Sequence, residues 1–474
     1  MASIDANVFE EKLYPHFLEL SKCKRPSKDE KEAMDFIISF AESLDLEHSV
    51  DSLGNIAVHR PASPGKEDLP PLLFQGHIDM VCVPNKDIFP IEPKITEGWV
   101  HTDGTTLGAD NGIAIAMMFE LMKMTFESNP PLEFLFTTAE EIGLVGASNI
   151  DTEKIKLNST KLINIDSEDI DHITVGCSGG LDITLELPVS FDDAADGSFY
   201  ELTVKCPGGH SGLDIHRNIP SAIKIAVEFI KSLSEKEEVR ISDISGGLAR
   251  NAIPPEAKII FSAGNFSVDS LKDTGNKIIE DAGIQDSCEI LVVNTGTPEK
   301  VLKKDISKKM IGLLNELPHG VLKMNPDTGG VLASINLAVL DISDTGAAIQ
   351  MNTRSSDVNE KMEAFKAVEN VCKVYGCSAV KGDEYPGWRP DIQSELLKVT
   401  ADKFYELRGS KPEYLDIHAG LECGILMDKF PTVKEAVSIG PNIRNAHSVK
   451  EKLEIVSTVE IWEIVNKIIA HYSQ

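Results

Sequence analysis

Short apolar runs alternate with helical patterns over the first third of the chain. Leu72–Phe74, Leu132–Thr138 and Leu162–Ile165 read as buried strands, and Asn111–Met124, apolar around most of its circumference, reads as a helix between the first two. Strands separated by helices predict a largely parallel sheet with covered faces. The pattern returns at the end of the chain. There Ala436–Ile439 is a strand and Leu453–Ile469 a helix, with Val456, Val459, Trp462 and Ile469 at helical spacing.

The middle has a different texture. Tyr200–Cys206, Lys258–Ser262, Leu332–Leu340 and Ala348–Thr353 alternate like strands, Ser221–Leu233 and Asn359–Tyr375 are amphipathic helices, and Gly208-Gly209 and Gly329-Gly330 mark turns. The buried-strand pattern resumes only after this stretch, so the middle is read as an insertion. The expected fold class is α/β: a mostly parallel mixed sheet covered by helices, from residues 1–180 and 388–474, with an inserted α+β domain over residues 181–387. The strand and helix order of the insertion recurs roughly twice, which makes two similar lobes plausible. Pro61–Pro70 is a polar loop.

Charged or imidazole groups follow directly on the apolar strands. LLFQGHID ends in His77 and Asp79, LEFLFTTAEE in Glu140 and Glu141, and LINID in Asp166. In an open α/β sheet the ligand crevice lies beyond the carboxyl ends of the strands, so these segments are expected to converge. TLGADNG adds Asp110 before an apolar helix, and RNAHS adds His447 after the late strand. Singly, each has a plainer reading: a packed histidine, a helix cap at Asp110-Asn111, a solvated acid pair at a helix start, an acidic loop in which Glu168 competes with Asp166. Together, several carboxylates and two imidazoles in one place call for cations, because each desolvated carboxylate costs about several kcal/mol unless neutralised. The ligand count fits two divalent ions, with Asp110 bridging, His77 and Asp166 on one ion, and Glu141 and His447 on the other. Imidazole and carboxylate without thiolate favour Zn²⁺, with Mn²⁺ or Co²⁺ compatible. Asp79, two residues from His77 on an extended segment, is placed to hold the other ring nitrogen.

Charge narrows the partners. Lys and Arg number 46 against 75 Asp and Glu, a net charge of −29, which repels phosphate backbones and anionic lipid headgroups alike. Neither nucleic acid nor membrane is an expected partner. No apolar run approaches the roughly 18 residues of a spanning helix, and the opening MASIDANVFEEK lacks the order of a signal peptide. The 8 cysteines are scattered without a CxxC, as thiols in a reducing cytoplasm would be. Neither GxGxxG after a strand nor GxxxxGK[ST] occurs, so dinucleotide and P-loop chemistry lack their signatures.

The blocks GHID, LGADNG, TTAEEIGLVGA, INID, GGHSG, NAIPPEA and NAHS, in this order, resemble the M20 family of metallopeptidases. Within it the stretches GCSGG and HAGLECG are most similar to aminoacyl-histidine dipeptidases. The resemblance implies a catalytic domain built from both chain ends and an inserted lid. It also implies His77, Asp110, Glu141, Asp166 and His447 as ligands and Glu140 as general base, with Asp79 beside them. In the insertion it implies that His210 polarises the scissile carbonyl, that Arg354 binds the substrate carboxylate, and that Asn251 and His418 line the pocket. Asp at position 166 points, within the family, to a dipeptidase, and the similarity to aminoacyl-histidine dipeptidases implies substrates of the Xaa-His type. A tripeptidase, an N-acyl amino acid deacylase and a non-catalytic metal-binding homologue are the competing readings. The insertion is longer than the simple lid of many members, which leaves open a homodimer.

Overall fold

A computed structural model describes residues 7–195, 197–264 and 266–474; residues 1–6, read above for a leader, lie outside the described residues. The chain divides into two compact units. The first holds the chain up to Cys177 with Trp388–Asp416 and Gly420–Gln474; the second holds Ser178–Gly387 and Ile417–Ala419.

The first unit is built on an eight-stranded sheet of β1 (Glu47–Val50), β2 (Ile56–Arg60), β3 (Leu72–His77), β4 (Leu132–Thr137), β5 (Lys161–Asn164), β6 (His172–Cys177), β7 (Glu413–Ile417) and β8 (Glu435–Ser438). Its order is β1-β2-β4-β3-β5-β8-β6-β7. The four central strands, β4, β3, β5 and β8, are mutually parallel, while β1, β2 and β6 pair antiparallel with their neighbours. Around the sheet lie α1 (Tyr14–Lys22), α2 (Lys31–Ser43), α3 (Ala109–Lys123), α4 (Glu395–Arg408), α5 (Glu422–Lys429) and α6 (Ile455–His471). One apolar cluster joins five of these helices to the sheet, with Phe17, Ile37, Phe119, Phe404 and Trp462 sharing a core with Phe74, Phe134 and Phe136. Burial of such side chains supplies about 1.5–3 kcal/mol each against the entropy of ordering the chain.

The expected apolar strand Leu72–Phe74 runs three residues further, through Gln75, Gly76 and His77, all buried. A polar strand end is tolerated inside because its groups are bonded: Gln75 Nε2 donates to Thr137 Oγ1 at 3.0 Å and to Glu422 Oε2 at 2.5 Å, and Asn164 Nδ2 donates to Gln75 Oε1 at 2.6 Å. Helix α3 is buried from Ala109 to Met122, so it is apolar on all sides as core helices are. It begins irregularly, since Asp110 and Asn111 have non-helical backbone angles.

The second unit carries a nine-stranded sheet. Four strands and two helices, Phe199–Lys205, Ala222–Ser234, Arg240–Gly246, Glu256–Ser262, Val268–Asp281 and Glu289–Thr295, follow the order β-α-β-β-α-β. The same order recurs in Gly179–Pro188, Lys304–Glu316, Val331–Ile342, Gly346–Ser355, Val358–Tyr375 and Ser378–Tyr385. The two sets meet edge to edge where Gly246 pairs with Leu340, and a single apolar cluster runs under both. No helix among the described residues is long and apolar enough to cross a membrane.

Candidate metal centre

Three parallel strands, β3, β4 and β5, end along one edge, and each carries an ionisable group at or just beyond its carboxyl end: His77 as the last residue of β3, the Glu140-Glu141 turn after β4 and Asp166 after β5. The start of α3 supplies Asp110 and the loop before Lys452–Glu454 supplies His447. The ligand atoms of His77, Asp110 and Asp166 lie within 4.8 Å of one another, as do those of Asp110, Glu141 and His447 and those of His77, Glu140 and Glu141. Glu168 belongs to none of these groups, and Asp166 is the acid of that run that faces His77, with Oδ1 3.3 Å from Nε2.

Histidine orientation is fixed locally. His77, 1% exposed, has Nδ1 3.1 Å from the main-chain oxygen of Asp79. A carbonyl only accepts, so Nδ1 donates its proton there, and Nε2 is the ring nitrogen that faces the carboxylates, 3.1 Å from Asp110 Oδ1. The carboxylate of Asp79 is the more distant partner of that ring, at 3.4 Å, which modifies the expected arrangement. Its main work lies elsewhere: Oδ1 accepts from Glu140 N at 2.9 Å, and Oδ2 accepts from Glu141 N at 3.2 Å and Ser27 Oγ at 2.7 Å. His447 places Nε2 3.0 Å from both Asp110 Oδ2 and Glu141 Oε2. Asp110 therefore stands between the two histidines. Glu141 Oε1 is buried without a hydrogen-bond partner.

These contacts set the acidities. Donating hydrogen bonds to Asp110 and Glu141 pushes the His447 imidazolium up to about 11. Burial opposes charge on His77, yet Asp166, Asp110 and Asp79 outweigh it and hold its pKa well above the usual value. Burial would also raise Asp110, but its bonds to His447 and His77 keep it well below the carboxylate range. Asp166 is raised by burial to about 6 despite His77. Burial, followed by the charges of Asp166, Glu422 and Glu141 against that of His77, lifts Glu140 well above an ordinary glutamate. A carboxyl group poised this way beside acceptors of charge is suited to move a proton.

Glu451, Glu30 and Asn55, which no motif in the sequence marks, support these segments, as does Glu422 of the HAGLECG stretch, a structural candidate in the sequence. Glu451 is 3% exposed and accepts from four successive main-chain N–H groups: Leu107 at 2.8 Å, Gly108 at 3.0 Å, Ala109 at 2.8 Å and Asp110 at 3.4 Å. Glu30 Oε1 accepts from Ala139 N at 3.0 Å and Asn55 Oδ1 from Thr138 N at 3.1 Å, so the turn carrying Glu140 is held by side chains on three sides. Glu422, fully buried at the start of α5, accepts from Gln75 and Thr137 and is raised by burial to about 7. In sequence, Glu30 and Glu451 sit in the charge-rich runs KRPSKDEK and SVKEKLE, which carry no sign that one acid is inside.

The second unit holds the other expected residues. His210 Nδ1 accepts from Gly212 N at 3.1 Å and Leu213 N at 3.0 Å, which leaves its proton on Nε2 as a free donor. Arg354, 7% exposed, donates from Nη1 to Tyr385 Oη at 2.8 Å, and its Nε has no partner. His418 Nε2 lies 2.7 Å from Ser334 Oγ, and burial, with the Arg354 charge next, lowers its pKa to about 3. Asn251 is exposed and joins this region through its main-chain oxygen, which accepts from Ser211 N at 2.8 Å.

Residues 73–471 match the model of peptidase family M20/M25/M40. The chain is 32% identical over 471 residues to the cytosol non-specific dipeptidase of Escherichia coli, covering 96% of each chain. The crystal structure of aminoacylhistidine dipeptidase from Vibrio alginolyticus superposes with a TM-score of 0.90 at 30% identity, over 97% of this chain and 96% of that one. An aminopeptidase from Bacillus cereus, 18% identical with a TM-score of 0.57 over 99% of this chain and 100% of that one, shares the fold. With strand ends, turn acids and histidines set as described, the chain belongs to peptidase family M20/M25/M40.

Proposed function

We propose that the protein is a metal-dependent dipeptidase of the cytosol, hydrolysing dipeptides including Xaa-His. The observation that carries this reading is the double row of ligand atoms about Asp110, one side meeting His77 and the other His447. The residues fit a pair of divalent ions: the donors are imidazole and carboxylate, Nδ1 of His77 is tied to the Asp79 main-chain oxygen so that Nε2 is the nitrogen turned to the carboxylates, and Glu141 Oε1 is a buried acceptor without a donor. His77 and Asp166 would hold one ion, Glu141 and His447 the other, and Asp110 both, with Zn²⁺ favoured and Mn²⁺ or Co²⁺ compatible. Bound there, such ions acidify water from about 15.7 toward 7 and polarise a carbonyl.

The remaining steps belong to side chains. Glu140 takes the water proton and delivers it to the leaving amine, while Asp79 fixes its main chain. His210 offers Nε2–H to the developing oxyanion. Arg354, with an unused Nε, pairs with the substrate's terminal carboxylate, and His418 and Asn251 contact the substrate beside it. The names of the Escherichia coli and Vibrio alginolyticus relatives support the dipeptide class. The test is hydrolysis of a dipeptide library by chelator-treated protein before and after Zn²⁺, Mn²⁺ or Co²⁺ is restored. Metal-restored turnover of dipeptides supports the reading, and full turnover without metal refutes it.

A further inference from the structure

Arg25 is one of the largest wholly buried side chains in the protein, and it lies in α1's outgoing segment, ahead of the stretch matched by the family. Its guanidinium serves two segments of the centre at once. Nη1 donates to the main-chain oxygens of Ile78 at 3.0 Å and Asp79 at 3.4 Å, and Nη2 donates to that of Gly108 at 2.6 Å. The carboxylates whose charge it feels most are Glu451, Asp79 and Asp110. Its slot is made by both glycines of LGADNG: a Cβ on Gly108 would fall 2.4 Å from Nη2, and one on Gly112 would fall 2.7 Å from the same atom. Those glycines are thereby explained by a close approach, at Gly108 with a φ of +70° as well.

We propose that Arg25 is a positioning residue of the metal centre, a fixed internal cation that holds the His77–Asp79 and Gly108–Asp110 segments in register and offsets their carboxylates when divalent ions are not bound. This rests on the metal reading above. A guanidinium that stays charged when buried suits the task, and its planar fork suits three carbonyls from two directions. With two divalent ions in place the carboxylates have other counter-charges. The cation therefore matters most to the metal-stripped protein.

The experiment compares melting of the chelator-treated full chain with and without saturating Zn²⁺, in wild type, Arg25→Met and Arg25→Lys. Tryptophan fluorescence reports the right unit, because all 3 tryptophans, Trp99, Trp388 and Trp462, lie in it. In Arg25→Met the metal-induced rise in Tm should exceed the wild-type rise by about 5 °C or more, since in the loaded form the ions still offset the carboxylates that the lost guanidinium faced, and in the stripped form they do not. Arg25→Lys keeps the charge and loses the fork, so both forms should melt lower with the wild-type gap restored. Gly112→Ala, which pushes the guanidinium from its slot, should widen the gap even if Arg25→Met fails to fold in either state. Equal losses in both forms, with the gap unchanged in Arg25→Met and in Gly112→Ala, would overturn the proposal. Absence of any metal-induced rise in wild type would remove the metal reading itself, and this proposal with it.

Discussion

Glu451→Gln is a one-atom change with a cost that can be worked from the structure. The native carboxylate accepts from four main-chain N–H groups, two on each oxygen. An amide keeps one oxygen and presents an NH₂ where the other stood. Two N–H groups then face a donor inside the protein. Each stranded buried donor costs about 1–3 kcal/mol, so the pair costs roughly 2–6 kcal/mol. At about 2–4 °C per kcal/mol for a unit of this size, Tm should fall by roughly 4–24 °C.

The same change should loosen Asp110, whose own N–H is one of the four donors, and lower affinity for divalent ions by about 10–100-fold, the usual scale when a ligand's support is removed. Melting followed by tryptophan fluorescence isolates the unit, and chelator competition reads the affinity. Glu153→Gln is the control, since its side chain is 90% exposed, and it should change neither quantity. A Tm shift in Glu451→Gln below about 2 °C with affinity unchanged would refute the reasoning, because it would mean that the N–H groups find other partners at no cost.

Glu140→Gln should keep both metal ions and lose about 10²–10⁴ in kcat, while Glu141→Gln should lower the metal content measured by mass spectrometry; the reverse pattern would exchange their roles. At pH 7 the imidazolium of His447 in metal-stripped protein is protonated, its pKa pushed up to about 11 by Asp110 and Glu141, so metal loading must release protons. Calorimetry in buffers of different ionisation enthalpy should show that release, with affinity rising with pH up to about 11; the stability that His447 lends the stripped protein is whole below about 6.5 and lost as pH rises through 11. Buffer-independent heats would contradict it. Arg354→Ala should lower kcat/KM on a dipeptide by at least about 30-fold and change little on its amide, because the amide offers no carboxylate; equal losses would give Arg354 a purely structural role.

What sequence reveals here follows from which atoms carry the information. An apolar run followed by His77, by Glu140 and Glu141, or by Asp166 is visible because side-chain type changes at the strand end, and parallel strands then bring those ends to one edge. The buried end of β3 is harder to see. Gln75 looks like a surface residue until Thr137, Glu422 and Asn164, from three distant stretches, satisfy it. Arg25 and Glu451 are the extreme cases, because their partners are main-chain groups and any sequence offers those. Asp79 shows the same limit from another side: period-two spacing placed it beside His77, but its carboxylate is engaged mainly with the N–H groups of Glu140 and Glu141.

The segment before residue 73, where the family match begins, is nonetheless part of the centre. Ser27 hydroxyl donates to Asp79, Glu30 takes the N–H of Ala139, Asn55 takes that of Thr138, and Arg25 takes three carbonyls. Ala139 has a φ of +52°, a left-handed conformation that a non-glycine residue keeps only when its surroundings over-determine it. The acceptors on either side do so. The residues proposed as ligands and base thus depend on a stretch that carries none of them, and substitutions at Glu30 or Asn55 should act on Glu140 through the turn rather than through the sheet, leaving the strand pairing of β3 and β4 as it is.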